Sequence, residues 1–126
     1  MEMKFYKCPK CGNMVGFIVK KACTPQCCGV PMEEVVANTT DAAQEKHVPV
    51  ITVDGNLVTV RVGSVDHPML EEHFIEWVAL QTKEGNQRKP LAPGSEPVVT
   101  FALVEGDEPI AAYAYCNLHG LWKAEA

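Results

Sequence analysis

The chain has 126 residues, 47% of them hydrophobic, and its 16 acidic against 11 basic residues give a net charge of -5. That length supports one ordinary domain, or one small domain with a stapled appendage, and leaves enough material for a real core. The acidic balance excludes a general basic-patch function on nucleic acid or anionic membrane, and no apolar run approaches the roughly 18 residues of a membrane span.

The first residues, Met1 to Cys8, lack an apolar core of signal-peptide length, so the chain is expected in the cytoplasm. In that reducing compartment its six cysteines are expected to be metal ligands or redox groups rather than disulfides. Cys8-Pro9-Lys10-Cys11-Gly12-Asn13 has the form of a metal knuckle: two thiolates two residues apart, followed by residues that tolerate a left-handed turn. Cys23, Cys27 and Cys28 follow, so five cysteines fall within 21 residues, which predicts a four-thiolate tetrahedral site. Spacing alone leaves open which two of these three join Cys8 and Cys11. It also leaves open whether the metal is zinc or iron. Between the two clusters, Met14 to Lys20 reads as a short strand. A unit of this size cannot bury enough surface to fold without such a staple.

Beyond Asn38 the character changes. Thr39 to His47 reads as a short helical turn, with Asp41 and Gln44 placed as a capping box. Val48 to Val53 and Leu57 to Val62 flank Asp54-Gly55-Asn56, which predicts a hairpin with Val58, Val60 and Val62 on one face. Three further apolar runs, Phe74 to Thr82, Val98 to Val104 and Ile110 to Tyr115, are bounded by turns, with loops marked by Gly85-Asn86 and by Pro90 to Pro97. Five or more short strands without a long helical period predict a mainly β, antiparallel sandwich or barrel.

The four histidines and the last cysteine then acquire positions. His47 precedes the first hairpin strand, His67 follows the second, His73 opens the next strand, and Cys116-Asn117-Leu118-His119-Gly120 ends the last apolar run. All lie at strand ends or in loops, where a sandwich gathers its functional groups. Four neutral imidazoles and one thiolate exceed the four ligands usual for zinc, and a blue-copper site would use only two histidines. The set therefore favours non-haem iron with one octahedral direction open.

The ordered motifs closely resemble the desulfoferrodoxin, or two-centre superoxide reductase, family over nearly the whole chain. They are Tyr6-Lys7-Cys8 through Asn13, vicinal Cys27-Cys28, Asp41-Ala42-Ala43 with Glu45-Lys46-His47-Val48-Pro49-Val50, His67-Pro68-Met69 with His73 to Trp77, and Cys116 to Trp122. The resemblance implies a desulforedoxin-like metal domain over residues 1–37 and an immunoglobulin-like catalytic β-sandwich over 38–126. It implies that Cys8, Cys11, Cys27 and Cys28 hold an iron (or zinc), with Cys23 as a spare that departs from the usual pattern. It further implies that His47, His67, His73 and His119 are equatorial and Cys116 axial ligands of a catalytic iron. Glu45 would be the carboxylate able to take the open position and Lys46 the cation beside it.

The activity implied is one-electron reduction of superoxide to hydrogen peroxide, an oxygen-detoxifying step under oxidative stress. Rubredoxin or a similar electron-transport protein would return the electron, and the chain would be a homodimer. A local positive patch is needed because a net charge of -5 repels an anionic substrate at long range. Backbone N–H groups from Asn117 to His119 are expected to hydrogen-bond the Cys116 sulfur. A zinc-stapled binding module, a pure electron carrier or iron store, and a superoxide dismutase are the rival readings.

Overall fold

The computed structural model describes residues 2–126, which divide into two compact units, one ending at Val36 and the other spanning Ala37–Ala126. The smaller unit is built from strands of two or three residues. β1 (Phe5–Lys7) lies between β2 (Met14–Gly16) and β5 (Glu33–Glu34), and β3 (Gln26–Cys27) pairs with β4 (Val30–Pro31), all antiparallel. Its buried apolar residues are Phe5, Cys8 and Met32, while Ile18 is 93% exposed. So small a core cannot offset the entropy of ordering the chain, as expected for a unit that depends on a cross-link. The strand expected over Met14 to Lys20 stops at Gly16, because β1 offers only three residues to pair with it.

The larger unit opens with one helical turn, α1 (Gln44–His47), whose N-cap is Ala43 and carries no side-chain cap. The expected capping box at Asp41 therefore does not form; Asp41 lies two residues before the cap. β6 (Pro49–Asp54) and β7 (Leu57–Val62) form the expected hairpin, with Asp54 opposite Leu57 across the two-residue turn Gly55-Asn56. Gly55 has φ +60 and Asn56 is not left-handed, the pattern of a turn that wants glycine first. β10 (Val98–Ala102) adds to β7, giving the sheet order β10-β7-β6. The second sheet runs β12-β11-β8-β9, from β8 (Ile75–Thr82), β9 (Asn86–Pro90), β11 (Pro109–Cys116) and β12 (Gly120–Glu125).

The two sheets close on a core of Val58, Val60, Val62, Val99 and Phe101 from one face and Ile75, Val78, Leu80, Ala112, Ala114 and Cys116 from the other. The period-2 alternation of β7 is realised in full, with all three valines at 0% exposure. Two strands were not expected from the sequence: polar β9, whose outer positions face water at a sheet edge, and β12, which carries Trp122 to the inner side opposite Ala114. Among the described residues no helix is long and apolar enough to cross a membrane.

Antiparallel alternation sets up one end of this sandwich. β6, β8 and β12 begin where β7 and β11 finish, with Pro49 opposite Val62 and Cys116 opposite both Ile75 and Gly120. Every histidine sits just beyond one of these strand ends. A cleft of about 570 Å³ lined by Val53, Leu103, Val104 and Pro109 lies by the Gly55 hairpin, at the other end of β6, and contains none of the histidines or Cys116.

Candidate metal centres

His47 is the last residue of α1, His67 follows the turn after β7, His73 lies in a two-residue bridge with Leu70 before β8, and Cys116 and His119 flank the β11–β12 turn. Four segments of the chain thus supply five donors, and one donor atom from each lies within 4.8 Å of all the others.

The ring geometry defines the arrangement. His47–His67, His67–His73, His73–His119 and His119–His47 centroids are 4.6, 4.7, 5.0 and 4.9 Å apart, with rings close to perpendicular. His47 and His73 are 6.5 Å apart at only 30°. These distances describe a square in which His47 faces His73 and His67 faces His119. Along two edges the inner nitrogens are 3.1 Å apart: His47 Nε2 to His119 Nδ1, and His47 Nε2 to His67 Nε2. Four imidazole nitrogens about 2.1 Å from a common centre would be about 3.0 Å apart along each edge.

Protons make the same case. The His47 Nδ1–H donates to the Ala43 carbonyl at 2.7 Å, and the His67 Nδ1–H to the Pro68 carbonyl at 2.6 Å. Those outer bonds fix the tautomers, so the two Nε2 atoms turn lone pairs toward each other, a contact that a cation satisfies. His73 Nε2 is buried with no hydrogen-bond partner among the described residues. Burial pushes the His67 imidazolium down to about 4 and also lowers His47 and His73, against the pull of the Ala43 carbonyl on His47. These rings are therefore neutral and available as ligands.

Cys116 is wholly buried, and its Sγ is 3.9 Å from His119 Nδ1. Burial pushes its thiol up, while the Leu118 and His119 amide N–H groups donate to the sulfur and oppose that rise. Two of the three amides expected around the sulfur are thus in place. The third, from Asn117, goes instead to the Phe74 carbonyl at 3.2 Å. Trp122 packs under the site, its indole stacked on His47 at 4.9 Å and its Nε1–H donating to the His119 carbonyl.

Glu45 and Lys46 are exposed on the helical turn that carries His47. Neither belongs to the five-donor constellation, yet Glu45 acts electrostatically on His47, and Lys46 on His73. Their backbone is seated firmly: the Glu45 carbonyl accepts from the Val65 amide at 2.8 Å and from the Ser64 hydroxyl at 3.3 Å, and Gly63 lies against it.

In the smaller unit Cys8, Cys11, Cys27 and Cys28 bring their sulfurs within 4.8 Å of one another, and Cys23 stands outside the group, exposed. Cys11 and Cys27 are 3.5 Å apart and Cys27 and Cys28 are 4.0 Å apart. A tetrahedron with metal–sulfur bonds of about 2.3 Å has edges of about 3.8 Å. The Cys11 and Lys10 amides donate to Cys8 Sγ at 3.4 Å each, and the first of these does most to draw the Cys8 thiol down to about 6. Crowding by Cys11 and its neighbours pushes Cys28 up to about 12 and raises Cys27. Four sulfurs this close could all ionise only with a cation among them. Cys28 has φ +55, a left-handed conformation uncommon for a non-glycine residue, and it lets both vicinal sulfurs join the group.

Both donor sets therefore fit the metals expected from the sequence. The expected site residues missed three supports that become visible only in three dimensions: the Trp122 stack, the Asn117 side chain and the seat at Gly63. Asn117 and Trp122 lie inside a quoted motif, but nothing in the sequence marks Gly63.

A protein-family model described as desulfoferrodoxin matches residues 39–125. A desulfoferrodoxin from Syntrophotalea carbinolica is 46% identical over 98% of this chain and 97% of its own. A superoxide reductase from Pyrococcus abyssi is 35% identical over 64% of this chain and 85% of its own. The crystal structure of the superoxide reductase from Treponema pallidum superposes with a TM-score of 0.85 at 41% identity, covering 99% of this chain and 100% of the other.

Proposed function

The chain belongs to the desulfoferrodoxin family, and from that premise we propose that it is a superoxide reductase, converting superoxide to hydrogen peroxide with one electron and two protons. The observation that carries this reading is the square of four imidazoles with one buried thiol beside it. Five donors account for five of six octahedral directions, so the set suits an ion that must also meet a substrate. Iron bound there would supply the single electron.

The chain's own groups do the rest. The Ala43 and Pro68 carbonyls hold two imidazoles in the ligating tautomer, and the Leu118 and His119 amides share the charge of the Cys116 sulfur. Lys46, close enough to act on His73, is the cation that draws an anionic substrate to a chain of net charge -5. Glu45 beside it is the carboxylate that covers the open side when substrate is absent. Solvent supplies the two protons.

The four-cysteine centre is a desulforedoxin-like iron or zinc staple of the N-terminal domain. Rubredoxin or a similar small electron carrier returns the electron between turnovers. The thin core of the smaller unit and its exposed Ile18 and Val19 support a homodimer, and the gathering of five of the six cysteines into two metal-donor sets supports a reducing compartment, the cytoplasm.

Metal analysis with a visible spectrum, followed by a superoxide pulse on the reduced protein, tests the proposal. Two irons per chain and a thiolate-to-iron band that bleaches on reduction and returns with superoxide are expected. Zinc alone, with no spectral response, would leave a stapled binding module, and oxygen evolution without external reductant would make the protein a dismutase.

A further inference from the structure

His47 and His67 have their outer ring nitrogens anchored by carbonyls, but His73 and His119 make no such outward hydrogen bond among the described residues. Their placement must come from the backbone. The β8–β11 ladder ends in an irregularity, with Tyr115 opposite Trp77 but Cys116 opposite Ile75, so regular pairing stops short of His73. The Asn117 side chain takes over there. Its Oδ1 accepts from the Phe74 amide at 2.9 Å, and its Nδ2 donates to the Glu72 carbonyl at 3.0 Å.

Those two groups bracket His73 on either side. The orientation of the carboxamide is fixed, since the flipped form would set N–H against N–H and oxygen against oxygen. With its main-chain N–H on the Phe74 carbonyl, Asn117 makes three hydrogen bonds to the segment that carries His73, while standing between Cys116 and His119.

We propose that Asn117 is a positioning residue that locks the His73 loop to the Cys116–His119 turn, fixing the two histidines whose rings no carbonyl anchors. It does so as a substitute for the missing rung of the sheet. The inference rests on the reading of the five donors as an iron site.

The test compares Asn117→Ala and Asn117→Asp with Asn38→Gly. Asn38 makes an analogous pair of side-chain bonds to the Lys123 backbone in the same unit, and its φ of +61 suits glycine. It serves as a control for plain loss of two hydrogen bonds. Release of iron from the histidine site to a ferrous chelator is expected to be about 10–100-fold faster in Asn117→Ala, and at least as fast in Asn117→Asp, whose second oxygen would face the Glu72 carbonyl where Nδ2 now donates. Asn38→Gly should release iron at the wild-type rate even where its melting temperature falls as far.

A second readout needs no metal. The His73 amide bonds to Leu70 and does not touch Asn117, so faster hydrogen exchange at that amide in the metal-free variants reports a loosened loop. Equal iron release in Asn117→Ala and Asn38→Gly, or unchanged exchange at His73, would overturn the proposal. A wild-type chain that takes up no iron would refute the functional reading instead, and the exchange data would still decide the positioning of His73.

Discussion

Replacing Gly63 by alanine probes how the Glu45-Lys46 turn is held. Gly63 has φ +64, and a Cβ built there would stand 2.3 Å from the Glu45 carbonyl oxygen, 2.7 Å from the Lys46 carbonyl carbon and 2.8 Å from Lys46 Cα. All three are backbone atoms, so no flexible side chain can yield. A left-handed alanine costs about 1–2 kcal/mol. Forcing the two backbones apart adds about 1–3 kcal/mol and strains the Val65–Glu45 hydrogen bond. The sum, about 2–5 kcal/mol in a domain of this size, corresponds to a fall of at least about 8 °C in melting temperature. The same displacement moves Glu45, Lys46 and His47 together, so superoxide capture should slow as well. Differential scanning calorimetry of the metal-loaded protein and pulse radiolysis of the reduced form read the two effects. A variant that melts within about 3 °C of wild type would show that the turn is not seated on Gly63.

Other perturbations separate the parts. Lys46→Ala should slow superoxide capture and flatten its ionic-strength dependence in stopped-flow or pulse-radiolysis measurements, and an unchanged rate would remove the lysine from substrate steering. Cys28→Ser should leave peroxide formation by prereduced protein intact while weakening the N-terminal domain; loss of the reaction with the histidine site fully loaded would contradict this. Asp107 offers a pH test. Burial alone would raise its carboxyl, but the Thr82 hydroxyl, the Glu84 and Glu108 amides and Lys83 together hold it below the usual carboxylate value. Its stabilisation is therefore present above the unfolded pKa of about 4 and lost as pH falls through the folded value. The stability gap between wild type and Asp107→Asn should close between pH 5 and the acid limit, and a gap independent of pH would sink the assignment.

Much of this was legible in one dimension because the signals are local. The alternation of Val58, Val60 and Val62, the Gly55 turn and the cysteine spacing each report the chemistry of a few consecutive residues. The histidines were legible as a set because all four lie near strand ends, but their cyclic order is a property of strand register, which no spacing records. β9 was hidden by its composition: Asn86, Gln87, Arg88 and Lys89 face solvent at an edge and read as loop, although Lys89 reaches the Thr100 carbonyl and Gln87 the Ala102 carbonyl of β10. The Asp41 capping box failed because helix start signals weigh little in a single turn whose position is set by tertiary seating of Glu45 on Ser64 and Val65.

The two metal centres stand in opposite relations to the fold. The four cysteines lie within one short segment, and the unit around them buries little besides Phe5, Met32 and Cys8 itself, which is also a ligand. There the metal replaces a core, so the unit's order depends on it. The histidine site draws on segments from His47 to His119, and each is placed by a ladder that buries its own apolar face: β6 and β7 by the hairpin, β8 and β11 by the central pair of the second sheet. Strand register therefore sets the spacing of these donors, with His47 Nε2 and His67 Nε2 3.1 Å apart. Donors placed by a sheet rather than by a loop would shift little when a bound ion changed charge, and a centre that passes one electron at a time would gain from that, since less ligand movement would accompany each transfer.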